Sequence, residues 1–252
     1  MMSEPIATPV LDFAIIGIQK GGTTALHRFL SSHPQIFLPE PKELHFFNSD
    51  GATDWAVPDY RKLEAHFAKV PREARKGEAT PAYIFHPHAL SRLRAYNPAA
   101  KLITVLRDPV ERAYSHWRME RTRQAETLDF PEAIRAGRLR VAENPARFSY
   151  VERGFYAAQI ERLLALFPAE QCLFLTTDDL KTDHIPTLSR VWRFLGCDET
   201  AAAPEPQMIR PLLSDETLAP LSDCDRGYLR ALYREDIHRV AALIGRDLDG
   251  WG

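Results

Sequence analysis

The chain has almost no net charge, few cysteines and no long apolar run. Lys and Arg number 32 against 34 Asp and Glu, leaving a formal charge of −2. The whole chain therefore gives no electrostatic argument for binding nucleic acid or an anionic membrane, and any anion site must be local. Its three cysteines, Cys172, Cys197 and Cys224, are far apart and lack the paired spacing of a zinc or redox motif, which reads as reduced thiols in a cytoplasmic protein. No stretch is long and apolar enough to span a bilayer. The first ten residues carry Glu4 and two prolines where a signal peptide needs a basic start and an apolar run. They read as a flexible segment ahead of the folded part.

What is present is ordinary for a globular domain: 252 residues, 45% hydrophobic and 26% charged, enough to bury one substantial core. Apolar runs at residues 13–18, 102–106 and 172–176 read as buried parallel strands, each followed by a helical pattern. Strand then helix, repeated, means an α/β domain with a central parallel sheet flanked by helices. The spacing predicts a first helix through Ala25, Leu26, Phe29 and Leu30 that stops near His33-Pro34. A second is capped by Asp108, opened by Pro109 and striped by Val110, Ala113, Tyr114 and Trp117. Further helices carry Tyr156, Ile160, Leu163, Leu164 and Phe167, then residues 187–195 closed by Gly196. The last covers residues 223–244, with Leu229, Leu232, Tyr233, Ile237, Val240 and Ile244 facing the core. Residues 48–59 and 199–220 are rich in turn formers and read as surface loops within one domain rather than linkers.

Residues 11–24, Leu-Asp-Phe-Ala-Ile-Ile-Gly-Ile-Gln-Lys-Gly-Gly-Thr-Thr, read as a strand running into a glycine-rich turn and a helix, the arrangement that offers unpaired amides and a helix dipole to a phosphate. Aligned on G-x-x-x-x-G-K-[ST], Gly17 and Gly22 fit, but Thr23 stands at the lysine position and only Thr24 matches the end. Lys20 sits inside the loop instead. This argues against triphosphate and magnesium chemistry while keeping the phosphate cradle. Taken alone, the segment is also compatible with a glycine turn that only joins strand to helix. Farther on, Arg107 stands at a strand's carboxyl edge, where open α/β sheets bind ligands. At ~100° per residue, Ser115 falls away from the apolar stripe of its helix, so the two can hold a second phosphate; taken singly, Arg107 reads better as a structural arginine paired with a carboxylate and Ser115 as a residue that only meets solvent.

Together, the loop and the Arg107-Asp-Pro…Arg-x-x-Ser115 run resemble the sulfotransferases that use 3′-phosphoadenosine 5′-phosphosulfate, above all the branch of heparan sulfate sulfotransferases and related bacterial enzymes. The resemblance implies the sulfotransferase variant of the P-loop nucleotide-binding fold. It assigns Lys20, Gly21, Gly22, Thr23 and Thr24 to the 5′-phosphosulfate and Arg107 and Ser115 to the 3′-phosphate. In the segment Pro41-Lys-Glu-Leu-His-Phe-Phe47 it makes Glu43 the general base and places His45 beside the acceptor. Glu43 and His45 are two apart, so in an extended stretch both emerge on one face, and either can take a proton. The plain alternatives are a surface turn at 41–43 and a core histidine between Leu44 and Phe46. The likeness continues through Gly77-Glu-Ala-Thr-Pro-Ala-Tyr83 and through the closing Leu-Ile-Gly-Arg-Asp-Leu…Trp251.

Three positions depart from the heparan branch: Gln19 and Ala79 stand where that branch has basic residues, and Asn48 where it has an aspartate. Fewer cations make a highly anionic glycan a poorer acceptor. The expected reaction is in-line sulfuryl transfer to a hydroxyl or amine of a small-molecule, lipid, polyketide or carbohydrate acceptor, without metal and without nucleic acid. Its rivals are a kinase-like nucleotide triphosphatase on the same fold and a catalytically silent nucleotide-binding module. Arg135, Arg138, Arg140 and Arg147 are candidates to guide an acidic acceptor, although charge-rich runs are usually solvated. In Arg153-Gly-Phe-Tyr156, Tyr156 reads as a core residue, and His86-Pro-His88 lacks a third partner at metal-like spacing.

Overall fold

A computed structural model describes residues 9–201, 203 and 218–251, without the side chains of residues 137 and 138. Five parallel strands, β1 (Phe13–Gly17), β2 (Ile36–Phe37), β3 (Arg75–Ala79), β4 (Lys101–Leu106) and β5 (Cys172–Thr176), form one sheet in the order β2-β3-β1-β4-β5. The helices are α1 (Thr23–Ser31), α2 (Arg61–Glu64), α3 (Ala89–Tyr96), α4 (Pro109–Thr122), α5 (Phe130–Arg135), α6 (Gly137–Glu143), α7 (Pro145–Phe148), α8 (Ala157–Leu166), α9 (Thr177–Thr182), α10 (His184–Leu195) and α11 (Asp223–Ile244).

The period of two in a strand divides the apolar side chains between the two faces of the sheet. From β1 and β4, Ala14, Ile16, Leu102 and Leu106 enter one cluster with Leu93 of α3, Trp117 of α4, Ile160 of α8 and Tyr233 of α11. Their neighbours Phe13, Ile15, Ile103 and Val105 enter a second cluster with Leu26 of α1 and Leu188 and Trp192 of α10. The sheet is therefore covered on both faces, which is why β1 and the C-terminal five residues of β4 are buried along their length.

The three expected strands are present. β1 stops at Gly17, where the β1–β4 register shifts; the next amide, Ile18 N–H, bonds to the Val105 carbonyl at 3.1 Å. β2 and β3 were not anticipated. β3 reads Arg-Lys-Gly-Glu-Ala and only its last three residues are buried, while β2 has two residues. α4 starts as expected, with Asp108 Oδ1 accepting from Val110 N–H at 2.7 Å, and α10 closes on Gly196 at φ 75°. α11 has the expected bounds, but Leu232 lies on the flank of its stripe and is exposed. Residues 124–150 hold three short helices, α5 to α7. Most of the loop expected at 199–220 lies outside the described residues.

Candidate active site

The loop after β1, the turn after β4 and the start of α9 after β5 meet at the carboxyl edge of the sheet. Thr177, the first residue of α9, joins all three: its hydroxyl lies 2.7 Å from the Gly21 carbonyl oxygen and 3.1 Å from that of Leu106. Gly22 caps α1 in the left-handed region at φ 104°, which glycine adopts without steric cost. Gly21 is buried, and a Cβ there would collide with the Val105 carbonyl oxygen. Thr23 is buried and Thr24 exposed at the first turn of α1. The loop thus has the close backbone approach and free helix start expected of a phosphate cradle.

Lys20 was expected to be a mobile cation, but it is held. Its backbone is left-handed at φ 71°, a conformation costing about 1–2 kcal/mol for a residue with a Cβ. Its carbonyl accepts from Arg107 Nη1 at 3.2 Å, and its Nζ lies 3.7 Å from Met119 Sδ on α4. Burial and the Arg107 guanidinium depress its pKa below the ordinary lysine value. Arg107 leaves β4 at the same edge, 3.9 Å from Glu111, and its carbonyl accepts from the Tyr156 hydroxyl at 2.9 Å. Ser115 is half-buried on α4, off the stripe formed by Val110, Ala113 and Trp117.

Behind Lys20 lies a group of buried cationic and basic side chains: Arg112, His116 and Arg153. Arg112 donates to the Tyr150 carbonyl, and Arg153 Nε donates to Ser149 Oγ at 2.7 Å. Burial together with Arg112 holds the His116 pKa well below the ordinary value, so its ring is neutral. Arg112 opens the Arg-x-x-Ser run and His116 follows it directly, yet helical periodicity alone gives no reason to bury an arginine.

Strands β1 and β3 are neighbours, with Ile15 opposite Ala79, so the segment after β3 emerges beside the loop. To that segment the chain ties Glu43 and His45: His45 N–H donates to Thr80 Oγ1 at 3.3 Å. The premise of an extended stretch fails here, because Glu43 and His45 both have left-handed backbones, at φ 69° and 53°. Their side chains nevertheless meet, His45 Nε2 lying 3.3 Å from Glu43 Oε2, while Lys42 Nζ lies 2.7 Å from Glu43 Oε1. Burial opposes ionisation of Glu43, but His45 and Lys42 more than offset it and hold its pKa at about 2. The hydrogen bond to Glu43 raises the His45 pKa. His45 is half-exposed rather than a core residue, and its Nδ1 faces Asn48 at 3.2–3.3 Å.

The family model described as "Sulfotransferase domain" matches residues 11–215, a span that contains the loop, Glu43, His45, Arg107 and Ser115. The chain belongs to the sulfotransferase family. It is 35% identical over 203 residues to the human bifunctional heparan sulfate N-deacetylase/N-sulfotransferase 3, covering 73% of this chain and 22% of that protein. It is 34% identical over 185 residues to human heparan sulfate glucosamine 3-O-sulfotransferase 3B1, covering 72% and 45%. The chain thus matches less than half the length of these curated relatives. A sulfotransferase structure from Alicyclobacillus acidocaldarius matches 96% of this chain and 98% of its own at 30% identity, with a TM-score of 0.83.

Within this sulfotransferase, several other expectations resolve. Arg140 binds buried Glu126 through two hydrogen bonds of 2.9 and 2.8 Å, Arg135 pairs with Asp225 at 2.8 Å, and Arg147 lies 3.8 Å from Glu120. These three are paired with the protein's own carboxylates rather than set free for an acceptor. The Arg138 side chain is outside the described residues. Tyr156 is buried as expected, and His86 bonds to Asp50 at 3.1 Å. Sequence reasoning missed Thr177, which no motif marks, and Lys42, whose position next to Glu43 was visible but whose contact was not.

Proposed function

We propose that this sulfotransferase moves the sulfuryl group of 3′-phosphoadenosine 5′-phosphosulfate in line to a hydroxyl or amine of an acceptor. The observation that carries this reading is the Lys20–Gly22 turn: the Lys20 carbonyl accepts from the Arg107 guanidinium, so the turn and Arg107 lie side by side, and the Glu43–His45 pair is anchored beside the adjacent strand end. A sulfonated nucleotide fits such a turn, because Gly21 packs directly on the Val105 carbonyl, where a Cβ has no room, and Thr23 stands where a triphosphate-binding loop has its lysine. When bound, the donor supplies an activated sulfuryl group on a phosphate leaving group.

The chain's residues divide the work. The loop amides and the Thr23 and Thr24 hydroxyls bind the 5′-phosphate, and Lys20 neutralises charge developing on the leaving oxygen. Arg107 and Ser115 hold the 3′-phosphate. Glu43 and His45 take the acceptor's proton as a pair, since one Glu43 oxygen faces the Lys42 ammonium and the other the His45 ring. The proton comes to rest on the His45 ring, whose imidazolium the Glu43 carboxylate stabilises. Loss of cations at Gln19 and Ala79 favours a neutral acceptor, with small alcohols, lipids, polyketides and sugars as its classes. The whole described chain acts as one catalytic domain without a metal.

Lys20→Ala tests the division. It is expected to lower turnover about a hundredfold, the usual scale for one lost charge-stabilising donor, with a smaller loss of 3′-phosphoadenosine 5′-phosphate affinity by calorimetry. Full turnover in the variant removes Lys20 from this role.

A further inference from the structure

Beneath Glu43 and His45 runs a buried polar chain to which the reaction above gives no part. Glu78, Thr80 and Tyr83 are each wholly buried. Thr80 Oγ1 donates to Glu78 Oε2 at 2.9 Å, and the same hydroxyl accepts His45 N–H at 3.3 Å. The Tyr83 hydroxyl accepts Phe47 N–H at 3.3 Å and lies against the Glu78 carboxyl. Each hydroxyl has one proton and must choose where to point it. With the proton turned toward Glu78, the lone pairs face the amides of the 45–47 segment.

A carboxyl taken wholly out of water is a costly residue for the interior of a sheet. Burial pushes the Glu78 pKa up to about 7, against the opposing influence of Thr80, Tyr83, His45 and Lys42. No ion pair to Glu78 forms among the described residues, and its Oε1 has no hydrogen-bond partner there. Its hydrogen bond to Thr80 reaches the residue that holds the His45 amide, and the Tyr83 hydroxyl beside it holds the Phe47 amide. The segment so held contains Glu43, Leu44 and His45, two of which keep left-handed backbones that a free segment would relax.

We propose that Glu78 is a positioning residue for the proton-accepting pair. Its carboxyl orders the Thr80 and Tyr83 hydroxyls, which hold the His45 and Phe47 amides and so keep the Glu43 and His45 side chains together. The inference rests on reading Glu43 and His45 as that pair.

The direct test reads the segment without turnover. In ¹⁵N-labelled protein, Glu78→Gln is expected to move the His45 and Phe47 amide resonances and to lower the pH at which the His45 ring titrates, because the nearby carboxylate favours the protonated ring. The Gly21 and Thr23 resonances are expected to stay in place. Unmoved His45 and Phe47 resonances overturn the inference. Should Glu78→Gln fail to fold, Thr80→Val cuts the same chain and is expected to shift the His45 titration, with Thr80→Ser restoring it; a valine variant that titrates as the wild type overturns the inference equally.

Turnover separates this inference from the reading beneath it. With ³⁵S-labelled donor and a pool of methyl N-acetylglucosaminide, hexanol and tyramine, Glu78→Gln is expected to lower kcat about tenfold with donor KM unchanged. A wild-type chain that labels none of these counts against the reading, while the resonances still decide the place of Glu78.

Discussion

At the scale of single residues, the proposed proton acceptor is a pair, and its pH dependence has a definite sign. The Glu43 carboxylate, held at about 2, is ionised throughout the neutral range, whereas the His45 pKa is raised by the bond to it. The competent base is therefore the ionised Glu43 beside a neutral His45. Turnover should rise with pH through the His45 titration and level off above it, and His45→Asn should remove that limb. A rate flat from pH 5 to 8 in the wild type would leave Glu43 alone as the base. The two-residue spacing hinted at the pair, but left-handed backbones bring it together, and sequence does not disclose those.

Glu78 gives a second prediction at this scale. Its folded pKa, about 7, is raised by burial above the ordinary carboxyl value of 4.5. Between those values the unfolded chain holds fewer protons, so stability falls as pH rises. The group is neutral and unpenalised below pH 4.5, and its contribution is lost through pH 7, about 3 kcal/mol in total at 1.36 kcal/mol per unit. Denaturant titrations at pH 5 and 8 should show this decline in the wild type and a flatter one in Glu78→Gln. Equal slopes would mean that Glu78 is already ionised in the folded chain.

At the scale of elements, strand ends hold the loop in place. Gly21 lies against the backbone of β4, and Thr177 ties its carbonyl to β5 and α9. Thr176 and Asp179 complete the start of α9 with a capping box. Asp179 also binds Arg246 at 2.5 and 2.7 Å, fixing the segment after α11. Gly21→Ala should therefore distort the β1 loop without opening the core. Calorimetry should show 3′-phosphoadenosine 5′-phosphate binding weakened more than tenfold, about 1.4 kcal/mol, with the far-ultraviolet circular dichroism unchanged. Undiminished binding would mean the loop amides are not the cradle.

The same scale explains what could be read in advance. β1, β4 and β5 were legible because strands covered on both faces, or nearly so, appear as continuous apolar runs. β3 was not, since two of its five residues stay outside the core and a third is the buried carboxyl of Glu78. β2 is too short to carry a pattern. The short helices at 130–148 are held by ion pairs such as Arg140 with Glu126, which show in sequence only as a charge-rich run.

At the scale of the whole molecule, a sheet covered on both faces leaves its carboxyl edge as the place where loops converge, and the segments proposed to bind anions and to accept the proton lie on adjoining strand ends there. The segments proposed as cradle, second anion site and base were all singled out in the sequence; their relative placement came only with the strand order, because β3 and β1 are distant in sequence and neighbours in the sheet. The most direct test incubates the chain with isotopically labelled 3′-phosphoadenosine 5′-phosphosulfate and pooled hydroxyl and amine acceptors, with chelator present, and reads products by mass spectrometry. The account predicts labelled sulfated product in chelator, lost in Lys20→Ala and in the Glu43→Gln, His45→Asn double variant. Absence of sulfated product from every pool, alongside magnesium-dependent ATP turnover, would contradict it.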